Sequence, residues 1–185
     1  MTNDPLQHAV TILKQGGIIA YPTEAVFGLG CDPHNEATLM RLLALKERPI
    51  SKGLILVAAN SEQLKPYLAP VEAKYWEKVK LTWPGPVTWV FPSRPSVSSA
   101  LRGAHATIAV RVSAEPLIQA LCLAFGGAIV STSANKSKQP ASRSVAEVKA
   151  QFGNDIDLIL PGEVDRNANP TEIRDLLTDK LIRSR

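Results

Sequence analysis

Acidic residues almost vanish from the middle of this chain. Between Lys78 and Ala146 the sole carboxylate is Glu115, against the cations Lys78, Lys80, Arg94, Arg102, Arg111, Lys136, Lys138 and Arg143. From Asn154 to Asp179 the balance reverses, with seven acids against two arginines. A net charge of only +4 conceals this asymmetry. A basic middle points to a polyanionic ligand, either nucleotide or RNA; the plain alternative is a solvated surface of mixed charge.

Other absences exclude further classes. There are only two cysteines, Cys31 and Cys122, far apart and without metal-ligand spacing, so they are expected as reduced thiols packed like small hydrophobes. His8, His34 and His105 are scattered, with no partner motif. No run approaches the roughly 18 apolar residues of a membrane span. Residues 1–15 lack the basic-then-apolar pattern of a secretory signal, and a cytoplasmic location is expected. Also missing are a Walker A sequence, a dinucleotide glycine fingerprint and a cluster of Asp/Glu metal ligands.

What is present suits one compact globular domain over residues 1–185, with 45% hydrophobic residues. Helical periodicity is read at Leu6–Gln15, Ala37–Lys46, Ser61–Tyr67, Ala73–Leu81, Leu117–Ala124 and Val145–Phe152. Strands are expected at Ile18–Tyr21, Leu54–Val57, Val87–Phe91, Thr107–Val112 and Ala128–Val130, with a hairpin of Glu172–Leu177 and Lys180–Arg183 at the end. The Pro/Ser-rich excursion from Pro92 to Gly103 reads as mobile. Alternation of this kind predicts an α/β fold, and the strand-to-strand connections predict a mixed sheet.

Two short segments carry the chemistry. Lys46-Glu47-Arg48-Pro49 closes the helix that begins near Ala37, and Lys52 follows just ahead of a strand. Pro49 disfavours helix at Arg48, so the helix is expected to end there and Lys46 and Arg48 can converge. Their bland role would be to complement the helix dipole, worth about 0.3–1 kcal/mol each; three cations at an element junction favour an anion site instead. The second segment, Ser131-Thr132-Ser133-Ala134-Asn135, follows a strand. Loops after strands collect ligands in α/β sheets, and an extended backbone puts Ser133 and Asn135 on one face. A hydroxyl and an amide so placed can bind phosphate oxygens or a metal that accompanies them, although Ser/Thr-rich turns are common in any protein.

Lys46-Glu47-Arg48-Pro49 with Ser133-Ala134-Asn135 resembles the KxR and SxN pair of the YrdC/TsaC-type threonylcarbamoyl-AMP synthases, of the Sua5/YciO/YrdC family. Three more segments agree in order: Tyr21 to Leu29 (YPTEAVFGL), Trp83 to Thr88 (WPGPVT) and Ala109-Val110-Arg111-Val112. The resemblance implies one twisted α/β domain with a concave, positively charged cavity. It also implies a reaction in which ATP, bicarbonate and L-threonine give threonylcarbamoyl-adenylate and pyrophosphate, for N6-threonylcarbamoylation of adenosine 37 in tRNA. No tightly bound cofactor is implied, Mg²⁺ arriving with ATP. The implied partners are tRNA or double-stranded RNA and the TsaB/TsaD/TsaE-type transfer proteins.

Carried over by motif position, Lys46, Arg48 and Lys52 would hold phosphates and developing charge, with Ser133 and Asn135 beside them as catalytic groups. Thr23, Arg111, Ser133 and Thr171 would bind L-threonine, Arg111 through its carboxylate, unless Arg111 pairs with a protein acid and Thr23 merely closes a turn. ATP would further meet Ser131, Ser133, Asn135, Arg143 and Arg183. Where many members have Ser-Gly after SxN this chain has Ser137-Lys138, which argues against a glycine-dependent turn there. The family's Pro-Ser-Thr segment becomes Pro170-Thr171-Glu172, and Thr171 keeps a hydroxyl with less rotamer freedom than serine. With its end at Arg185 the chain is expected to be the short form, without the extra C-terminal domain of longer relatives. A reading from another class is a non-catalytic RNA-binding maturation factor, which the basic middle and an exposed Trp83 and Trp89 would serve; a hydrolase of acyl phosphates or carbamoyl compounds is a third.

Overall fold

The computed structural model describes residues 4–165, 167–168 and 171–184. Its helices are α1 (Pro5–Lys14), α2 (Glu36–Leu45), α3 (Ala73–Lys80), α4 (Ser99–Arg102), α5 (Pro116–Phe125) and α6 (Val145–Phe152). The first strands are β1 (Ile19–Pro22), β2 (Phe27–Gly30), β3 (Ile55–Ala58), β4 (Val87–Pro92) and β5 (Thr107–Val112). They are followed by β6 (Ile129–Val130), β7 (Thr132–Ser133), β8 (Leu158–Ile159), β9 (Glu172–Asp175) and β10 (Leu181–Arg183).

The fold is α/β, as expected, but the mixed sheet is two mixed sheets. One runs β7-β2-β1-β8 and the other β10-β9-β4-β5-β3-β6. In the larger, β5 lies parallel to β3 and antiparallel to β4. The chain passes from one sheet to the other at Ser131. β6 pairs with β3, β7 pairs with β2, and the intervening Ser131 amide donates to the Ile55 carbonyl at 2.8 Å.

Period-two alternation gives the larger sheet two different faces. Leu56, Trp89, Phe91, Ile108 and Val110 enter the main core, whereas Ile55, Val57, Thr88, Val90, Thr107, Ala109 and Arg111 line a cavity. A second core forms where Ala9, Val10 and Leu13 of α1 meet Ile118, Leu121 and Cys122 of α5 under Ile19, Tyr21 and Val57. Both faces of β1 are thus covered, which is why it reads as an uninterrupted apolar run.

Several expectations change. Ser61–Tyr67 is a 3₁₀ rather than an α-helix, with Pro66 inside it. The 92–103 excursion contains α4, whose Ala100 and Leu101 are buried. Trp89 is only 2% exposed and its indole donates to Thr82 Oγ1, while Trp83 stacks on Phe91 and donates to the Val87 carbonyl. Neither offers the exposed ring that the RNA-binding reading needs. Strands β2, β7 and β8 were not expected. In β2 the glycines answer a close approach: a Cβ on Gly30 would lie 2.8 Å from the Tyr21 ring and 3.0 Å from the Val130 carbonyl. Cys31 and Cys122 are free and buried as expected, and burial pushes both thiols up to about 12.

Candidate active site

Helix α2 starts at Asn35, whose side chain accepts from the Thr38 amide, and buries Leu39, Leu42 and Leu43. It ends at Leu45, ahead of Arg48, where Pro49 alone would end it. Glu47 takes a left-handed conformation (φ 52°), its amide donates to Ala44 O and the Arg48 amide to Leu43 O, both at 2.9 Å. This paired closure ordinarily uses glycine. It turns Lys46 and Arg48 toward the same region, as expected from the proline.

Their surroundings differ. Lys46 is 3% exposed, and its ammonium donates to the carbonyls of Ser133 and, at 2.8 Å, Asn135. Burial, and then the charge of Arg48, lower its pKa to about 7. The Ser137 amide returns a bond to the Lys46 carbonyl at 2.8 Å, so the second motif wraps around the first. Lys46, expected beside Arg48 and Lys52 as a holder of phosphates, thus directs its ammonium to backbone carbonyls. Arg48 is half-buried, anchored by Nε on the Gly53 carbonyl at 3.0 Å, and burial lowers its pKa. Lys52 is exposed, on the 3₁₀ turn Ile50–Lys52. That turn is locked against α4, because a Cβ on Gly103 would lie 2.3 Å from the Ser51 carbonyl.

Ser133 and Asn135 do share a face, the Ser133 hydroxyl donating to Asn135 Oδ1 at 2.6 Å while the Asn135 amide reaches Gln139 O at 2.9 Å. The turn beyond them needs a left-handed residue after all. Lys138 supplies it at φ 65°, correcting the inference from the missing glycine. Ser131 accepts from the buried Tyr21 hydroxyl at 2.8 Å, and burial holds that phenol far above its ordinary range.

Across the cavity, Arg111 projects from β5 with its side chain 6% exposed and ion-pairs with Glu24 at 2.8 Å. The protein-acid partner weighed for Arg111 is thus present. Thr23 donates to the Val26 carbonyl at 2.7 Å, closing the turn that carries Glu24. Arg183 donates to the Thr171 carbonyl at 2.7 Å, and partial burial, then the charges of Arg111 and Arg48, lower its pKa.

One cavity of about 530 Å³ is bordered by Thr23, Arg48, Lys52, Arg111, Ser131, Ser133, Asn135, Thr171 and Arg183. Lys46 instead borders an adjoining recess of about 60 Å³ that it shares with Arg48, Lys52, Ser133 and Asn135. Arg143 borders neither; its amide donates to the Glu147 carboxylate where α6 begins. Sequence reasoning gave no role to Glu24, Thr88, Arg102, His105 or Thr107, which also line the cavity. Thr88 and Thr107 were findable as polar residues in period two within apolar strands. Glu24, Arg102 and His105 had no local signal. Among the described residues no group of three or more His, Cys, Asp or Glu side chains could hold a metal, and none of their helices is long and apolar enough to cross a membrane.

Residues 11–184 match the family model Sua5_yciO_yrdC, described as "Telomere recombination". A threonylcarbamoyl-AMP synthase of Halorhodospira halophila is 54% identical over 170 residues, covering 92% of this chain and 89% of that protein. One from Photobacterium profundum is 51% identical over 182 residues, covering 97% and 98%. Among solved structures, a P. abyssi Sua5 chain superposes with a TM-score of 0.90 at 30% identity, covering 96% of this chain and 52% of its own. P. abyssi Sua5 complexed with L-threonine gives 0.85 at 30% identity, covering 92% and 50%. This chain spans about half the length of those Sua5 chains. Matched by the family model over residues 11–184 and about half identical to relatives over nearly its whole length, the chain belongs to the Sua5/YciO/YrdC family.

Proposed function

We propose that this chain forms L-threonylcarbamoyl-adenylate and pyrophosphate from L-threonine, bicarbonate and ATP, a nucleotidyl transfer that supplies N6-threonylcarbamoyladenosine formation in tRNA. The observation that carries the reading is the convergence of Arg48, Lys52, Arg111 and Arg183 on a single cavity with the Ser131–Asn135 segment. Relatives that carry the threonylcarbamoyl-AMP synthase name over nearly their whole length support it.

The chemistry asks for this arrangement. The threonine amine adds to bicarbonate and water leaves, giving a carbamate. A carbamate oxygen then attacks the α-phosphorus of ATP and pyrophosphate departs. A carboxylate, a carbamate and a polyphosphate must be held together, and fixed cations offset their repulsion while positioning lowers the barrier. Arg48 and Lys52 take the phosphates, and Ser131, Ser133 and Asn135 line the nucleotide from the strand crossing. Arg111, Thr23 and Thr171 receive threonine, with Arg183 at the mouth. Lys46 acts through the Ser133–Asn135 loop. Arg143, off the cavity, keeps a role at the nucleotide only if a loop closes over it. Mg²⁺ travels on the nucleotide, since among the described residues the cavity offers hydroxyls and an amide but a single carboxylate, already paired. The product passes in the cytoplasm to TsaB/TsaD/TsaE-type transfer proteins acting on tRNA.

Radiolabelled ATP tests the reading. Pyrophosphate should appear only when threonine and bicarbonate are both present; release without either would favour a hydrolase, and no release would leave the RNA-binding reading.

A further inference from the structure

Among the described residues bordering the main cavity, Glu24 is the one carboxylate, set among Arg48, Lys52, Arg102, Arg111 and Arg183. A carboxylate there opposes any polyanion that enters. Its position is nevertheless built. The Thr23 amide and hydroxyl both close on the Val26 carbonyl, at 3.1 and 2.7 Å, and the Asp165 amide donates to the Glu24 carbonyl at 3.0 Å. This fixed turn delivers Glu24 Oε1 to Arg111 Nη1 at 2.8 Å. Arg111, almost wholly buried, needs a counter-charge, since an unpaired buried cation is strongly destabilising. Glu24 itself stays about one-third exposed to the cavity, at 31%. Burial and then the proximity of Glu24 raise the pKa of Glu115, which places a second acid near the pair.

The result is a fixed plus-minus couple on the cavity wall. An α-amino acid carries the complementary couple, a carboxylate and an ammonium two bonds apart. We propose that Glu24 is the specificity-determining residue for the amino group: it positions Arg111 for the substrate carboxylate and itself receives the substrate ammonium. This rests on the reading of the site as one that binds L-threonine. A carboxylic acid with a hydroxyl in place of the amine meets the same Arg111 but leaves Glu24 without its cation. A site built around a hydrogen-bonding charge rejects the analogue lacking that group far more strongly than a hydrophobic pocket rejects a missing methyl.

The test compares L-threonine with 2,3-dihydroxybutyrate, its hydroxy-acid analogue, binding to the full chain by calorimetry without ATP. Wild type should prefer threonine by about tenfold or more, the scale of a hydrogen bond to a charged group. In Glu24→Gln that preference should collapse toward unity, with the threonine KM raised far more than kcat and the ATP KM little changed. The ratio of the two ligands is insensitive to partial unfolding, because misfolded chains weaken both equally. Glu24→Asp, which keeps the charge, should restore part of the preference. A purely structural role would weaken both ligands together and leave their ratio intact, and that outcome overturns the proposal. So does a wild type that makes pyrophosphate with threonine yet does not distinguish the two acids. Wild type that makes no pyrophosphate and binds no threonine would instead bring down the functional reading itself, and this inference with it.

Discussion

The Lys46 ammonium donates to the Asn135 carbonyl at 2.8 Å, joining the two motifs across 89 residues of sequence. Lys46 and Arg48 therefore divide the work that their spacing suggested they share: Lys46 shapes the loop and Arg48 faces the cavity. Lys46→Ala removes the partner of two part-buried carbonyls, which should cost about 1 kcal/mol or more of stability in urea unfolding together with most activity. Arg48→Ala should lower pyrophosphate release by about 10²–10³ while leaving the urea midpoint close to wild type. Equal stability losses in the two variants would remove the distinction.

Lys46 also makes stability depend on pH. Its folded pKa is lowered to about 7, whereas the unfolded side chain titrates near its ordinary value of 10.5. Below about 7 both states are protonated and the cost of burying the charge is fully present. Between about 7 and 10.5 the unfolded chain binds the proton that the folded chain releases, so this contribution to stability improves as pH rises. Unfolding free energy from pH 7 to 10 should therefore climb more, or fall less, in wild type than in Lys46→Met, by an amount on the order of a few kcal/mol. Parallel curves would show that the ammonium is not desolvated.

Arg111→Lys should raise the threonine KM far more than the ATP KM, about tenfold or more against little change. A point charge cannot both hold Glu24 and present a planar fork to a carboxylate. Equal shifts in the two KM values would place Arg111 in the nucleotide subsite.

The elements with strong periodicity were legible. Helices α1, α2, α5 and α6 and strands β1, β3, β4 and β5 lie within a residue or two of their expected positions, because their burial follows local alternation. Strand β2 was hidden by Gly28 and Gly30, whose small size serves the Tyr21 ring and weakens the strand signal. Strands β7 and β8 have two residues each, too few to show a period. The residues of the candidate site were mostly legible through motifs. Their partners were not: the Glu24–Arg111 ion pair and the Lys46–Ser133 bond each span 87 residues. No local pattern encodes a contact made only after two sheets meet.

Lys138 provides a conformational test. A non-glycine residue at φ 65° pays a steric penalty that glycine avoids, and Lys138 is exposed. Lys138→Gly should therefore leave stability unchanged or raise it by up to about 1 kcal/mol, the loss of unfolded-state entropy offsetting part of the gain. Lys138→Val, β-branched, should destabilise the chain. If valine were tolerated like glycine, the turn after the SxN motif would not hold its left-handed residue in solution.

Four of the eight cations of the basic middle pair with acids. Lys78 pairs with Asp179 at 3.1 Å, Lys80 with Glu77 at 2.7 Å, Arg111 with Glu24 at 2.8 Å and Lys136 approaches Glu47 at 3.7 Å. Acids from flanking segments thus offset the imbalance seen along the sequence, and Trp83 and Trp89 are turned inward. A tRNA-like duplex should accordingly bind weakly, and its affinity should fall steeply between about 50 and 200 mM salt, because binding would rest on counterion release alone. ATP binding should change far less over the same range. Lys136→Ala combined with Lys138→Ala should weaken the RNA interaction further and leave adenylate formation largely intact, since neither side chain borders the main cavity. Tight duplex binding that survives 200 mM salt would restore the RNA-binding reading. Loss of adenylate formation with unchanged RNA affinity would make the segment after Asn135 a cover over the nucleotide.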